Sequence, residues 1–138
     1  MFSPAMKLLQ IYRCLGDETR LRMLYLLTQG PLCVCHFQGI LKIPQVAVSK
    51  HLAYLRTNGL VQSQRHGKWM IYQLPQKPSR ELDLQLRCLQ DCVQTSAVFR
   101  QDLKRLKAMN CECDWVGKVL NTQTTSTNCC SGGDCANP

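Results

Sequence analysis

PQVAVSKHLAYLRTNGLV, residues 44–61, reads as a helix that ends on Asn58-Gly59 and hands the chain to a strand. Within it Val48, Leu52 and Leu55 fall at i, i+4 and i+7, so the helix from Gln45 to Asn58 buries one stripe. Its other surface opens with Gln45, Val46, Ser49 and Lys50, which are short or hydrogen-bonding and sit in the first turns. A helix laid into a major groove presents such residues, here facing outward, to base edges and phosphates. His51 stands beside the buried stripe, where packing or a backbone contact is as consistent with its position as a DNA contact.

The residues on either side fit the same plan. Upstream, Leu8, Leu9, Tyr12 and Leu15 recur at helical spacing between Met6 and Leu15, and Gly16 stops that helix. Asp17 suits the cap of a second helix running to Thr28, with Leu21, Leu24, Tyr25 and Leu27 inward. Pro31 is expected to open a third helix that turns Val34, Phe37, Ile40 and Leu41 inward before a turn at Lys42 to Pro44. Downstream, Leu60 to Gln64 and Trp69 to Leu74 are rich in β-formers and are joined around Arg65-His66-Gly67-Lys68. A ribbon tipped with Arg65, His66 and Lys68 is suited to phosphate or a minor groove. Helix, turn, helix and basic hairpin predict a mostly α fold with a β-hairpin wing, the winged helix-turn-helix.

Ser79 can cap a long final helix to about Met109, with a break admissible near Thr95-Ser96. Leu82, Leu86, Leu89 and Val93, then Phe99, Leu103 and Leu106, form a seam along it. That stripe is expected to pack on the first helix and on its twin in a second subunit, so that flanking N- and C-terminal helices build a two-fold homodimer. Residues 1–110 are thus read as one DNA-binding and dimerisation domain. Residues 111–138 are read as a cysteine-rich tail, polar and low in complexity from Asn121 on and expected to be flexible.

A chain of 138 residues has room for one real core. Its 17 Lys and Arg against 9 Asp and Glu, a net charge of +8, favour a polyanionic partner such as double-stranded DNA. No sustained apolar run precedes Arg13, so neither an export signal nor a membrane span is expected, and the cytoplasm is the expected location. In that reducing compartment ten cysteines read as thiolate ligands or redox sensors rather than as a disulfide framework. There is no Cys-x-x-Cys motif, no Gly-rich phosphate loop and no nucleophile with its base, which argues against an enzyme and an organic cofactor. A thiol-rich metal-buffering protein is the other class considered, and it would leave the basic hairpin without a use.

Three thiol groupings are candidate sensors. Cys33 and Cys35 stand at i and i+2, which on a regular helix point to nearly opposite sides. They can share an ion only if the first turn of that helix unwinds, which would tilt the reading helix behind it; filling core space is the alternative role. In the tail, Cys129, Cys130 and Cys135 surround a Gly132-Gly133 link that lets three sulfurs converge. Cys111 and Cys113 could complete the Cys33/Cys35 pair. Cys88 and Cys92, at i and i+4, share a helix face but are interleaved with the Leu86, Leu89 and Val93 seam, and core packing is the expectation for them. Cys14 is read as structural.

LGDETRLRML (15–24), PLCVCHF (31–37), VAVSKHLAYLRTNGLV (46–61) and RHGKWMIYQL (65–74), in that order, resemble the ArsR/SmtB family of metal-responsive repressors. The resemblance implies a dimeric winged-helix repressor that holds operator DNA until a toxic metal or metalloid ion binds. Ser49, Lys50 and His51 match the recognition-helix core, and Arg65, His66, Gly67 and Lys68 match the wing tip. PLCVCHF resembles the ELCVCDL thiolate box, but Pro31 and His36 replace its acidic residues and Gln38 stands where some arsenical repressors carry a third cysteine. The tail is similar to the cysteine-rich C-terminal segment that certain arsenical repressors use. The expected inducer is As(III) or Sb(III) on cysteine thiolates, drawn from Cys129, Cys130, Cys135, Cys33 and Cys35. Cd(II), Pb(II) or thiol oxidation is the alternative signal, and the lack of His on the long helix counts against zinc.

Overall fold

In chain order the elements are α1 (Pro4–Leu15), α2 (Glu18–Leu27), β1 (Leu32–Cys33), α3 (Val34–Leu41), α4 (Gln45–Thr57), β2 (Gln62–His66), β3 (Trp69–Gln73), α5 (Arg80–Cys92), a 3₁₀ turn (Val93–Thr95) and α6 (Ala97–Ala108). The computed structural model describes residues 4–109. The expectations placed on 111–138, with Cys111, Cys113, Cys129, Cys130 and Cys135, lie outside the described residues. Helix starts follow local chemistry. The Asp17 carboxylate accepts from the Arg20 N–H at 3.1 Å to open α2, and the Ser79 hydroxyl accepts from the Leu82 N–H at 3.2 Å to open α5.

Val48, Leu52 and Leu55 of α4 are fully buried and join Phe37 and Ile40 of α3 and Leu24 of α2 in one core. The sheet is antiparallel in the order β1-β3-β2, with Leu32 opposite Tyr72, Cys33 opposite Ile71 and Gln64 also opposite Ile71. The hairpin closes at the pair His66 and Trp69 through Gly67-Lys68, and Gly67 at φ 60 supplies the positive angle that such a tight turn needs. Arg65, opposite Met70, therefore lies in the strand, one pair back from the closing residues.

Two expectations are corrected and one is met. The third helix opens at Val34, not at Pro31, because Leu32 and Cys33 are drawn into the sheet by β3. That pairing is non-local and leaves no mark on the periodicity of the segment. The break admitted near Thr95-Ser96 is present: the last helix is interrupted at Val93–Thr95, where Ser96 turns extended (φ −84, ψ 125) and starts α6. The break lets Val93 and Phe99 both reach the core, and Thr95 and Ser96 are residue types that favour helix ends over helix interiors. Finally, the seam is not spare: Leu82, Leu86, Leu89, Val93 and Phe99 are buried inside the chain with Ile11, Cys14 and Tyr25. Among the described residues, the large apolar side chains that the flanking helices leave outward are Leu9 and Tyr12 on α1, Leu84 on α5 and Val98 on α6.

The placement of Cys88 and Cys92 also differs from the packing role expected of them, since both are exposed. Each stands one residue before a buried one, Leu89 and Val93, and so about 100° round the helix from it. At the far end, α6 is fastened by polar contacts. Asp102, 1% exposed, accepts from Arg22 Nε at 2.7 Å and Nη2 at 2.8 Å, and Arg105 Nη1 donates to the Ile40 carbonyl at 2.9 Å. Phe99 meets Tyr25 edge to face with ring centroids 5.6 Å apart.

Candidate metal centre and nucleic-acid interface

Because α3 begins one residue after Cys33, this cysteine is the N-cap, in extended backbone (φ −98, ψ 171), and Cys35 is the second helical residue. The change of backbone at Cys33 turns its side chain back over the first turn. Cys33 Sγ and Cys35 Sγ are 2.6 Å apart, and His36 Nδ1 is 3.1 Å from Cys33 Sγ. The opposed geometry that i and i+2 impose on a continuous helix is thus absent, and no unwinding is needed to bring the sulfurs together. Cys33, Cys35 and His36 form the one group of three metal-ligating side chains among the described residues, with donor atoms within 4.8 Å of one another.

His36 is the donor that sequence reasoning passed over, having counted it only as the loss of an acidic residue. It lies three residues after the cap, the position from which a side chain reaches back to the cap's N–H. Here Cys33 N–H donates to His36 Nδ1 at 3.2 Å. An Nδ1 that accepts carries no proton, so its hydrogen resides on Nε2 and its one in-plane lone pair is engaged by the backbone. All three residues are buried. The arrangement offers two sulfurs and one imidazole nitrogen, a soft to borderline donor set. Cys14, by contrast, is packed in the apolar core, and burial pushes its thiol up, outweighing the opposite pull of Arg20.

The triad sits at a junction. Cys33 pairs with Ile71 in β3, the inner strand of the wing, while α3 runs on to Leu41 and a left-handed Lys42 (φ 58) that turns the chain into α4. On α4, Val46 is 65% exposed and Lys50 is exposed, whereas Gln45 and His51 are half-buried. Ser49 is half-buried as well, and its hydroxyl is shielded from solvent with no hydrogen-bond partner, so it does not simply face outward as the helical pattern suggests. The Arg20 N–H, helped by the charge of the Arg20 guanidinium and opposed by burial, holds the Asp17 carboxyl below its ordinary range. On the wing Arg65 and Lys68 are exposed, Lys68 Nζ resting 5.0 Å from the Trp69 ring centroid, and His66 is half-buried.

Two contacts hold α4 in its seat. The Arg20 guanidinium lies 4.4 Å over the Tyr54 ring while donating to the carbonyls of Cys14 and Arg13 at 3.0 Å each. Arg56 Nη1 donates to Ser63 Oγ at 3.2 Å, tying the helix to the outer wing strand. The helix and the wing are therefore one surface, both anchored on the segment Cys33–Leu41. Among the described residues no helix is long and apolar enough to cross a membrane.

The family described as "Bacterial regulatory protein, arsR family" matches residues 17–63, from the cap of α2 into β2. The arsenical resistance operon repressor of Escherichia coli is 38% identical over 111 residues, covering 77% of this chain and 90% of that protein. The arsenic resistance transcriptional regulator ArsR1 of Pseudomonas putida is 36% identical over 85 residues, 61% of this chain and 66% of that protein. Among solved structures, HlyU from Vibrio cholerae superposes with a TM-score of 0.59 at 28% identity, covering 66% of this chain and 96% of that one.

Proposed function

This chain belongs to the arsR family and is a transcriptional repressor with a DNA-binding winged-helix fold, and from that premise we propose that a thiophilic ion captured by Cys33 and Cys35, with His36 at hand, is the signal that releases it from operator DNA. The observation that carries this reading is the convergence of Cys33 Sγ, Cys35 Sγ and His36 Nδ1 at the start of α3. As(III) or Sb(III) is the leading inducer, because two thiolates suit a soft ion and because the E. coli relative is named for arsenical resistance.

The release step follows from the cap. Nδ1 has a single lone pair, and it accepts the Cys33 N–H. An ion that takes Nδ1 displaces that N–H; one that binds only the sulfurs removes the thiol from the same box. The first would take from α3 the His36 half of its N-terminal box and the second the half in which the Cys33 thiol accepts from the His36 N–H, where a whole cap is worth about 1 kcal/mol in ordinary helices. The strand pair Cys33 and Ile71 is disturbed with it, so the α4 end and the wing shift against each other.

Operator contact is assigned to Gln45, Val46, Ser49, Lys50 and His51 from α4 and to Arg65, His66 and Lys68 from the wing. The Ser49 hydroxyl, shielded and without a hydrogen-bond partner in the free chain, would reach a base edge or a phosphate by turning outward. The outward apolar residues Leu9, Tyr12 and Leu84 supply the homodimer face, which sets two recognition helices against a palindromic site. The tail trio Cys129, Cys130 and Cys135 is a second donor set for the same class of ion. The imidazole favours a second inducer reading, Cd(II), since a nitrogen donor suits a tetrahedral divalent ion better than a pyramidal metalloid.

Fluorescence anisotropy of a labelled operator fragment, titrated with As(III), Sb(III), Cd(II) and Pb(II), tests the reading. Release by As(III) or Sb(III) at concentrations at least tenfold below those of Cd(II) supports the metalloid; the reverse order supports Cd(II). Release by peroxide with none by any ion contradicts both.

A further inference from the structure

Where α6 ends, the chain lies on the helix that carries Cys35. Met109 closes α6 in extended backbone (φ −81, ψ 136) and lays its side chain over Gly39 of α3. A Cβ at Gly39 would meet Met109 Cε at 2.8 Å and Sδ at 3.5 Å, so the missing side chain is what lets Met109 settle there. Gly39 is four residues beyond Cys35, on the next turn of the same helix face. The exit point is held in place, since Arg105 Nη1 donates to the Ile40 carbonyl at 2.9 Å and Arg22 clamps Asp102.

Cys111 stands two residues past Met109, and Cys113 two further on. Extended backbone covers about 3.3–3.6 Å per residue, so Cys111 can stand up to about 7 Å from Met109 and Cys113 up to about 14 Å. Gly39 and Cys35 are separated by about 6 Å along the axis of α3, four steps of about 1.5 Å. The way back from Met109 to the Cys33 and Cys35 sulfurs is thus within the reach of this segment. We propose that Cys111-Glu112-Cys113 supplies, from the same chain, the third sulfur of an As(III) or Sb(III) site whose other two are Cys33 and Cys35. The proposal rests on the reading of Cys33 and Cys35 as the ion site and names the donor that makes it selective.

Trivalent arsenic and antimony favour three sulfurs in a pyramid. On α3 itself Gln38, the other neighbour of Cys35 at i+3, offers an amide oxygen, a hard donor that a soft ion passes over. The Nδ1 of His36 already accepts the Cys33 N–H, and a metalloid with three sulfurs is satisfied without that lone pair. The chemistry balances without an oxidant. As(OH)3 condenses with three thiols: three As–S bonds form, three As–O and three S–H bonds break, and three waters leave with the protons. Arsenic stays trivalent. The ion then joins the start of α3 to the chain beyond α6, so capture pulls on the Cys33 cap against the helix end that Arg105 holds.

The test uses the reduced full chain carrying Cys129→Ser, Cys130→Ser and Cys135→Ser as the parent, with one equivalent of As(III) as the probe. Arsenic K-edge X-ray absorption should count three sulfurs and no oxygen about the metalloid. Adding Cys111→Ser with Cys113→Ser should bring oxygen into that shell and raise the As(III) concentration for half-binding at least tenfold. In iodoacetamide mapping As(III) should slow alkylation of Cys111 or Cys113 at least fivefold, and Cys33→Ser with Cys35→Ser should abolish that protection. Circular dichroism and operator affinity matching the parent show each variant folded, and alanine replaces serine at Cys33 and Cys35 where they do not match. Three sulfurs with unchanged half-binding after Cys111→Ser with Cys113→Ser overturn the proposal, as does protection that survives loss of Cys33 and Cys35. Mixed dimers of the two double variants should bind as weakly as either; recovery of the parent value assigns the thiol to the partner chain and overturns the same-chain claim. If the three-sulfur shell and the affinity survive Cys33→Ser with Cys35→Ser, the α3 reading itself falls; if only the Cys111 and Cys113 arm fails, that reading stands.

Discussion

One imidazole links the proposed ion site to the helix it caps. His36→Gln keeps an acceptor for the Cys33 N–H, since Gln serves well at this position of a capping box, but removes the nitrogen ligand. Operator affinity should stay within twofold while the ion concentration for half-release rises tenfold or more if His36 ligates, which the anisotropy titration measures directly. A second residue-scale prediction concerns Asp17. Its carboxyl is held below the ordinary range chiefly by the Arg20 N–H, so its contribution is present above the unfolded-state pKa and is lost as the pH falls through the lower folded-state value. Asp17→Ala should cost about 1 kcal/mol at neutral pH in urea denaturation, and the difference from the parent should shrink in acid. Asp17 was legible from sequence as a polar residue ahead of an apolar stripe. His36 was not, because its role depends on the backbone turning extended at Cys33.

Among elements, α6 is the one whose position is decided by buried charge. Asp102→Ala leaves Arg22 half-shielded without its carboxylate, and the destabilisation should be about 3–5 kcal/mol in the same denaturation experiment. Asp102 sits 80 residues from Arg22, and nothing in the local pattern of either helix pairs them. The same limit hid β1: Leu32-Cys33 is an apolar stretch that reads equally as helix or strand until β3 is beside it. Helices α1, α2 and α4 and the hairpin, by contrast, are marked locally by apolar stripes, by the Asp17 cap of α2 and by the turn glycine Gly67, and the sequence reading met the structure there to within a few residues. For the wing, Arg65→Ala with Lys68→Ala should weaken DNA binding for all sequences alike and lower the slope of log affinity against log salt by about one for each phosphate no longer neutralised. An unchanged slope would remove the wing from the phosphate-binding surface.

For the whole molecule, the question is how a small change at three buried donors reaches two DNA-reading elements. Cys33–Leu41 is continuous with both: its first residue pairs in the wing sheet and its last residues turn into α4. Arg105 holds the end of the same helix from α6, so α3 is restrained at its C-terminal end and can yield at the cap. The fold class and the family were legible because they rest on ordered local motifs. The geometry of the Cys33, Cys35 and His36 group was not, since it rests on a sheet pairing and on a helix that starts three residues later than Pro31 invites. The most direct test compares As(III)-driven operator release by the parent, by Cys33→Ser with Cys35→Ser, and by the chain ending at Thr127. The account predicts that the double serine variant binds operator as the parent does and stays bound throughout the range of As(III) that releases the parent, while the shortened chain still lets go. Release of the double variant at the parent's As(III) concentration would contradict it.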